Sequence, residues 1–450
     1  MSLFSKVLSA LLLISPCFAE EEILVKLKTV SALQPTYLGK IQTKNATFDP
    51  AYIAEIQSVL DFDFDHNGST KLIARAPEKE QLLQKANIAE ALSPETWKGY
   101  GAAYAIRCQI TQRSLTISLL NTQTGSLKTF SDVELMGDIK HDRRHIHKLS
   151  DVIQKALFQV DGVASTRILY SYQSKTQQSD GKGWLSEIWE CDWDGANARQ
   201  VTHDNSYSVT PVCIPDHPRY KNDSFLYVSY KMGQPKIYLG SLKGGEGKRL
   251  IDLRGNQLLP AISAKRDKLA FICDAGGRTD LFLQPMDPKT GEVGKPIQLF
   301  SYPRSTQASP TFSPDGSQVA FVSDKDGGMR IFIIPTAPSE KRATARMITI
   351  QNRESSCPAW SPDGTKLAYS AKTNGIRQIW IYDFATQEEW QLTSGPGNKE
   401  NPSWAPDSLH LVFNSCDGSE TELYIANLNQ PEATKISRGH GKKHYPSWGK

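Results

Sequence analysis

The chain of 450 residues lacks any apolar run long enough to span a bilayer. It also lacks a dominant charge: 52 basic and 48 acidic residues are mixed throughout, with no basic tail of the kind that binds nucleic acid. Cysteine is sparse, and no C-x-x-C pair occurs, which excludes a zinc ribbon and a small-domain disulfide framework. The chain has no G-x-S-x-G nucleophile elbow, no P-loop and no dinucleotide fingerprint. Those absences remove serine hydrolases of the α/β type, nucleotide hydrolases and nicotinamide-dependent dehydrogenases. At 39% hydrophobic residues the chain still has material for a core, so it is expected to fold.

The first residues carry an address. "MSLFSKVLSALLLISPCFAEE" has one cation, Lys6, an apolar run from Val7 to Ile14, and the breaker Pro16. Small residues Cys17 and Ala19 then stand three and one positions before Glu20. This layout predicts an export signal over residues 1–19, cleaved after Ala19, and an exported, soluble protein. Pro16 makes Cys17 a poor lipidation site. Export places Cys108, Cys191, Cys213, Cys273, Cys357 and Cys416 where disulfides could persist.

What the chain has in abundance is a repeat. A proline recurs at Pro211, Pro260, Pro310, Pro358, Pro402 and Pro446, at intervals of 49, 50, 48, 44 and 44 residues. Two positions on stand Cys213, Ile262, Phe312, Trp360, Trp404 and Trp448. An apolar–apolar–aromatic triplet follows in each full unit, as in Val319-Ala320-Phe321, and then Ile or Leu before an aromatic, as in Ile331-Phe332. Turns such as Asp315-Gly316 and Asp363-Gly364 separate these runs, so their aspartates read as turn formers. Four strands every 44–50 residues is the period of a β-propeller blade. The first unit, from Ile168, lacks its proline strand, and the last, "YPSW" at 445–448, lacks everything else. Joined, they make a sixth blade that closes the ring. Cys213 occupies a slot held elsewhere by Phe312 and Trp360, and is expected in the core.

Residues 20–162 lie outside the repeat and predict a small α/β domain. "ILVKLK" (23–28) and "YLGKIQT" (37–43) read as strands, and "DPAYIAEIQSVLD" (49–61) as a helix capped by Asp49. "AYAIRCQIT", "SLTISLLNT" and "GSLKTF" form a meander with Cys108 packed inside, and a helix over about 140–157 leads to the repeat. Two metal-like patterns stand here. "DFDFDHNGSTKLIA" (61–74) resembles a calcium loop but has Ala74 where a bidentate Glu is needed, so a solvated loop is expected. His141, His145, His147 and Asp151 have zinc-like spacing, but Arg143 and Arg144 oppose the ion's charge, so a polar helix face is expected. The fold class is thus an α/β N-terminal domain (20–162) followed by an all-β six-bladed β-propeller (163–450), its ring closed by the C-terminal strand.

Export signal, α/β domain, "P-x-[FW]-S-P-D-G" units, "STRILYSY" and the closing "YPSWGK" together resemble the TolB family of the Tol-Pal envelope system. The stretch "ETWKGYGAAYAIRCQI" (95–110) is similar to that family's Trp–Gly segment. The resemblance implies a non-enzymatic, monomeric protein without cofactor or metal. It implies binding of the peptidoglycan-associated lipoprotein Pal at the propeller mouth, and of the inner-membrane protein TolA through the mature N-terminus, Glu20, Glu21, Glu22 and Ile23. Pal contacts carry over by motif position to Asn256, Leu259, Ala308 and Ser309, with Glu354, Glu400 and His444 added from equivalent loops. Ala308 and Ser309 replace a polar–acidic pair usual in that family, and "PAISAKRD" (260–267) has lost its Pro-Asp-Gly turn. Two other readings stay open. One is an exported scaffold with a different protein partner; the other is a propeller lyase or glycosidase, which needs paired carboxylates or a histidine cluster in the channel.

Overall fold

The computed structural model describes residues 33–175, 184–216, 223–337 and 344–449. The expected export signal, the strand expected at 23–28 and the residues expected to contact TolA, Glu20, Glu21, Glu22 and Ile23, lie outside the described residues.

The N-terminal segment builds one mixed sheet with helices on both faces. Its strands are β1 (Gln34–Leu38), β2 (Gln42–Lys44), β3 (Thr70–Leu72), β4 (Tyr104–Thr111), β5 (Ser114–Asn121) and β6 (Leu127–Glu134). They run in the order β3-β1-β4-β5-β6, with β2 paired to β4 beyond the end of β1. The strand expected over 37–43 is therefore two short ones. A Cβ at Gly39, between them, would collide with Cδ1 of Leu83, so the break lets the helix carrying Leu83 pack close. Helix α1 (Pro50–His66) starts as its sequence predicts: Asp49 accepts a hydrogen bond from the Tyr52 amide, and Pro50 fills the first turn. With α5 (Ile139–Phe158) it covers one sheet face, where Ile56, Leu60, Ile146 and Ile153 pack on Ile106, Cys108 and Ile117. The short helices α2 (Pro77–Leu83), α3 (Ile88–Ala91) and α4 (Pro94–Gly99) cover part of the other face around the buried Trp97.

Helix α1 runs five residues past Asp61, which corrects the loop expected at 61–74. Asp63 is not solvated but buried, and its carboxylate meets Nδ1 of His147 on α5 at 2.8 Å. His147 is likewise buried, so the polar helix face expected there is corrected for His147, while His141 is exposed and His145 half-buried. Trp193 of the repeat region donates its indole Nε1–H to the same Asp63 oxygen at 3.0 Å. Arg143 and Arg144 pair with Asp194 and Asp192. The two parts of the chain are thus joined by a buried, charge-balanced cluster and not by apolar contact alone. Burial works to lower the His147 pKa, but Asp63, Asp194 and Asp192 outweigh it and hold it above its ordinary 6.5.

The repeat region folds into the succession of small antiparallel sheets that the sequence predicts for a β-propeller. Strands β7 (Arg167–Lys175), β8 (Trp184–Asp192) and β9 (Arg199–Gln200) lie in an eight-stranded sheet, and four four-stranded antiparallel sheets follow between Ser208 and Gln391. The proline strands are Ser208–Cys213, Gln257–Ile262, Gln307–Phe312, Ser355–Trp360, Asn398–Trp404 and Lys442–Gly449. The last of these pairs antiparallel with β7, placing Ser447 opposite Leu169 and Trp448 opposite Ile168. The repeated triplets are core: Leu226, Ala270, Phe321, Tyr369 and Phe413 are fully buried. Asp315 accepts from Ser313 Oγ, Ser317 Oγ and the Ser317 amide, which holds its carboxyl well below the usual range and fixes the turn. No helix among the described residues is long and apolar enough to cross a membrane. All six described cysteines are free.

Candidate functional site

Every proline strand carries the same distortion. Its pairing with the next strand slips between the second residue before the proline and the residue after it, as between Leu258 and Ala261. Such a bulge leaves one residue unpaired, which is why proline, with no N–H to lose, is tolerated inside a sheet here. The residue just before each proline takes a left-handed backbone: Thr210, Leu259, Ser309, Cys357, Asn401 and Tyr445 have φ between 46° and 54°. None is glycine, so each stores strain of about 1–3 kcal/mol. These six residues and their prolines line one neck of about 130 Å³. On the far side of the prolines the channel widens to about 600 Å³ between Phe312, Trp360, Trp404 and Trp448.

The loops leading into the neck are pinned from below by buried polar side chains three residues before the proline. Lys399 donates to the carbonyls of Gly395, Pro396 and Gly397 at 3.4, 2.8 and 3.3 Å, and Lys443 donates to Gly439 at 2.6 Å. Gln257 plays the same part with Ile251 and Leu253. A buried side chain that satisfies several loop carbonyls makes the rim a rigid surface.

The strand register puts the second hairpin of each unit at this same end, since Ser208 faces Ser229 and Ser229 faces Lys236. That end carries Trp184, Met232, Tyr302, Met329, Ile350 and Ile376, six of the twelve large apolar side chains exposed among the described residues, each 37–77% accessible. The ammonium groups of Lys175 and Lys442 lie over the Trp184 ring at 5.8 and 5.4 Å. Apolar side chains gathered around a strained, rigid neck are the surface character of a docking site.

A family model for the TolB beta propeller domain matches residues 154–450. The Protein TolB homolog of Protochlamydia amoebophila (strain UWE25) is 51% identical over 396 residues, which span 86% of this chain and 84% of that protein. The Protein TolB homolog of Chlamydia trachomatis serovar D is 34% identical over 382 residues, 84% of this chain and 80% of the relative. Among solved structures, TolB from Acinetobacter baumannii shares the fold with a TM-score of 0.72 at 21% identity, over 93% of this chain and 98% of its own. The chain belongs to the TolB family.

In this TolB-family chain the residues expected at the mouth separate into three groups. Leu259 and Ser309 line the neck itself. Glu400 pairs with Arg377 Nε at 3.2 Å, and Arg377 Nη1 donates to the Glu354 carbonyl at 3.2 Å, so one guanidinium joins both loops. Glu354 also meets Lys372 at 3.4 Å. Asn256 is taken up locally, donating to Asp274 from its amide and side chain at 2.6 and 2.8 Å. Ala308 packs against the hydrophobic core around Tyr369 instead of facing the neck. His444 is half-buried beside Tyr445, its pKa lowered by burial and by Lys442. Sequence reasoning missed Thr210, Cys357, Asn401 and Tyr445, although their signal was present as the residue before each repeated proline. Cys213 packs against the core around Phe225 and Tyr227, as expected, and, being half-buried, also borders the wide end of the channel.

Proposed function

We propose that this chain is the periplasmic, non-enzymatic propeller component of a Tol-Pal system. In this reading six blades form a closed ring after an α/β domain (20–162), and the mouth binds a peptidoglycan-associated lipoprotein. The mature N-terminus, Glu20 to Ile23, engages a TolA-like inner-membrane protein, so that the outer membrane follows constriction during division. Membership of the TolB family supports the system. The antiparallel pairing of Lys442–Gly449 with β7 supports the closed ring.

The observation that carries the docking reading is the coincidence of strained neck, pinned loops and exposed apolar rim at one end. A glycosidase or lyase reading needs paired carboxylates or a histidine cluster in the channel; among the described residues, Asp216 is the one carboxylate bordering the wide channel, and no histidine borders it. Contacts of this class bury about 1,600 Å², enough to take in both neck and rim.

Titration calorimetry of the mature chain with the soluble domain of its Pal-like lipoprotein tests the proposal. Binding is expected, and Trp184→Ala is expected to weaken it about tenfold or more. Removal of residues 20–31 is expected to weaken binding of the TolA-like protein and leave lipoprotein binding intact. A lipoprotein that does not bind, or loss of both partners on that truncation, overturns the reading.

A further inference from the structure

The N-terminal domain carries a second surface with a different chemistry. Helices α2 to α4 cover one face of the sheet around Trp97 and Ala105, leaving Arg107 and Gln109 of β4 beyond their reach. There a cleft of about 910 Å³ opens between β2 and α2. All five residues from Lys40 to Lys44 border it. Strand β2 is the last three of these, Gln42–Lys44, and because side chains alternate across a strand, its unbroken border puts the strand's edge, not one face, at the cleft. Strand β2 pairs with β4 alone, and its other long edge has no strand partner among the described residues. A free edge offers a row of N–H and C=O groups to any extended backbone.

The charge at the cleft is one-sided. Arg75 is neutralised by Asp61 and lies beside Glu80. Glu80 is itself saturated by the Tyr37 hydroxyl at 2.6 Å and the Lys40 amide at 3.1 Å. Lys40, Lys44 and Arg107 have no acidic partner among the described residues; Arg107 donates only to the Gln42 amide oxygen, at 3.2 Å. Three uncompensated cations around a free strand edge select an extended segment that carries carboxylates. We propose that this cleft docks an acidic, extended peptide segment of a protein partner, added as a strand to the free edge of β2. The surface is separate from the mouth, so a chain held at the mouth by one protein keeps a second grip for another.

Fluorescence anisotropy of the mature protein, residues 20–450, with a labelled twelve-residue peptide of alternating Glu and Val tests this. Saturable binding is expected, weakening as salt rises, and the matching Lys–Val peptide is expected not to bind. Lys44→Glu with Arg107→Glu is expected to reduce affinity at least about tenfold, with lipoprotein binding unchanged. Should Arg107→Glu disturb the sheet, Lys40→Glu with Lys44→Glu, both on exposed side chains, gives the same readout. An analogue N-methylated at alternate residues keeps its charge but cannot pair along an edge, and is expected not to bind. Equal binding of the N-methylated analogue or of the Lys–Val peptide, or unchanged affinity in the charge-reversed variants, overturns the proposal. So does binding seen only after deletion of residues 20–31, which would give the cleft to the chain's own acidic leader.

Discussion

The backbone N–H of Cys213 donates to Oγ of Ser447 at 3.0 Å, and its thiol donates to the Ser447 carbonyl at 3.3 Å, across 234 positions of chain. Consecutive units use the same device: Trp360 N–H donates to Thr311 Oγ1 at 3.3 Å, and Trp448 N–H to Ser403 Oγ at 3.0 Å. The first and last proline strands are therefore joined by the same bond that joins neighbours along the repeat. Trp448 is 6% exposed and also donates its indole N–H to Thr166 Oγ1 at 2.7 Å. Trp448→Ala is expected to cost about 3–5 kcal/mol, read as a lower urea midpoint. An unchanged midpoint would show that the last strand adds nothing to the fold.

Stability should depend on pH through His147. Its folded pKa is raised above the ordinary 6.5 by Asp63, Asp194 and Asp192, against the effect of burial. The stabilisation is then fully present below the unfolded value and is lost as pH rises through the folded one. Arg143 and Arg144 also hold Asp194 and Asp192. The expected result is a Tm that falls from pH 6 to pH 9, with a shallower fall in His147→Gln. Equal slopes would remove His147 as the cause.

Ser309 has a φ of 46°, a conformation that glycine takes without strain. Ser309→Gly is expected to stabilise the fold by about 0.5–1 kcal/mol, the strain relieved exceeding the added freedom of the unfolded chain. A lowered Tm would show that the left-handed residues before the prolines carry no strain worth relieving.

Thiol titration checks the packing of the cysteines. Burial pushes the Cys108 thiol up to about 12 and Cys213 up to about 11, so little thiolate forms at pH 8. In the native protein Cys416, partly exposed, is expected to react first, and all six described thiols should titrate after unfolding. Fast native labelling of Cys108 would contradict its place in the sheet core.

The sequence by itself determined the repeat, its period and the split ends, because each blade strand carries its own apolar alternation and turn residues. It also determined the N-terminus of α1, where Asp49 and Pro50 act within one turn of the helix. Only the tertiary structure decided where Asp63 and His147 lie, since a carboxylate and an imidazole become a buried pair only when α1, α5 and Trp193 converge. It likewise decided that Ala308 packs sideways while its neighbour Ser309 lines the neck, because a one-residue bulge re-aims side chains that alternation alone would assign otherwise. Local chemistry is written in neighbouring residues. The facing of a bulged strand and the charge balance of a buried cluster depend on partners that the chain brings together only after folding.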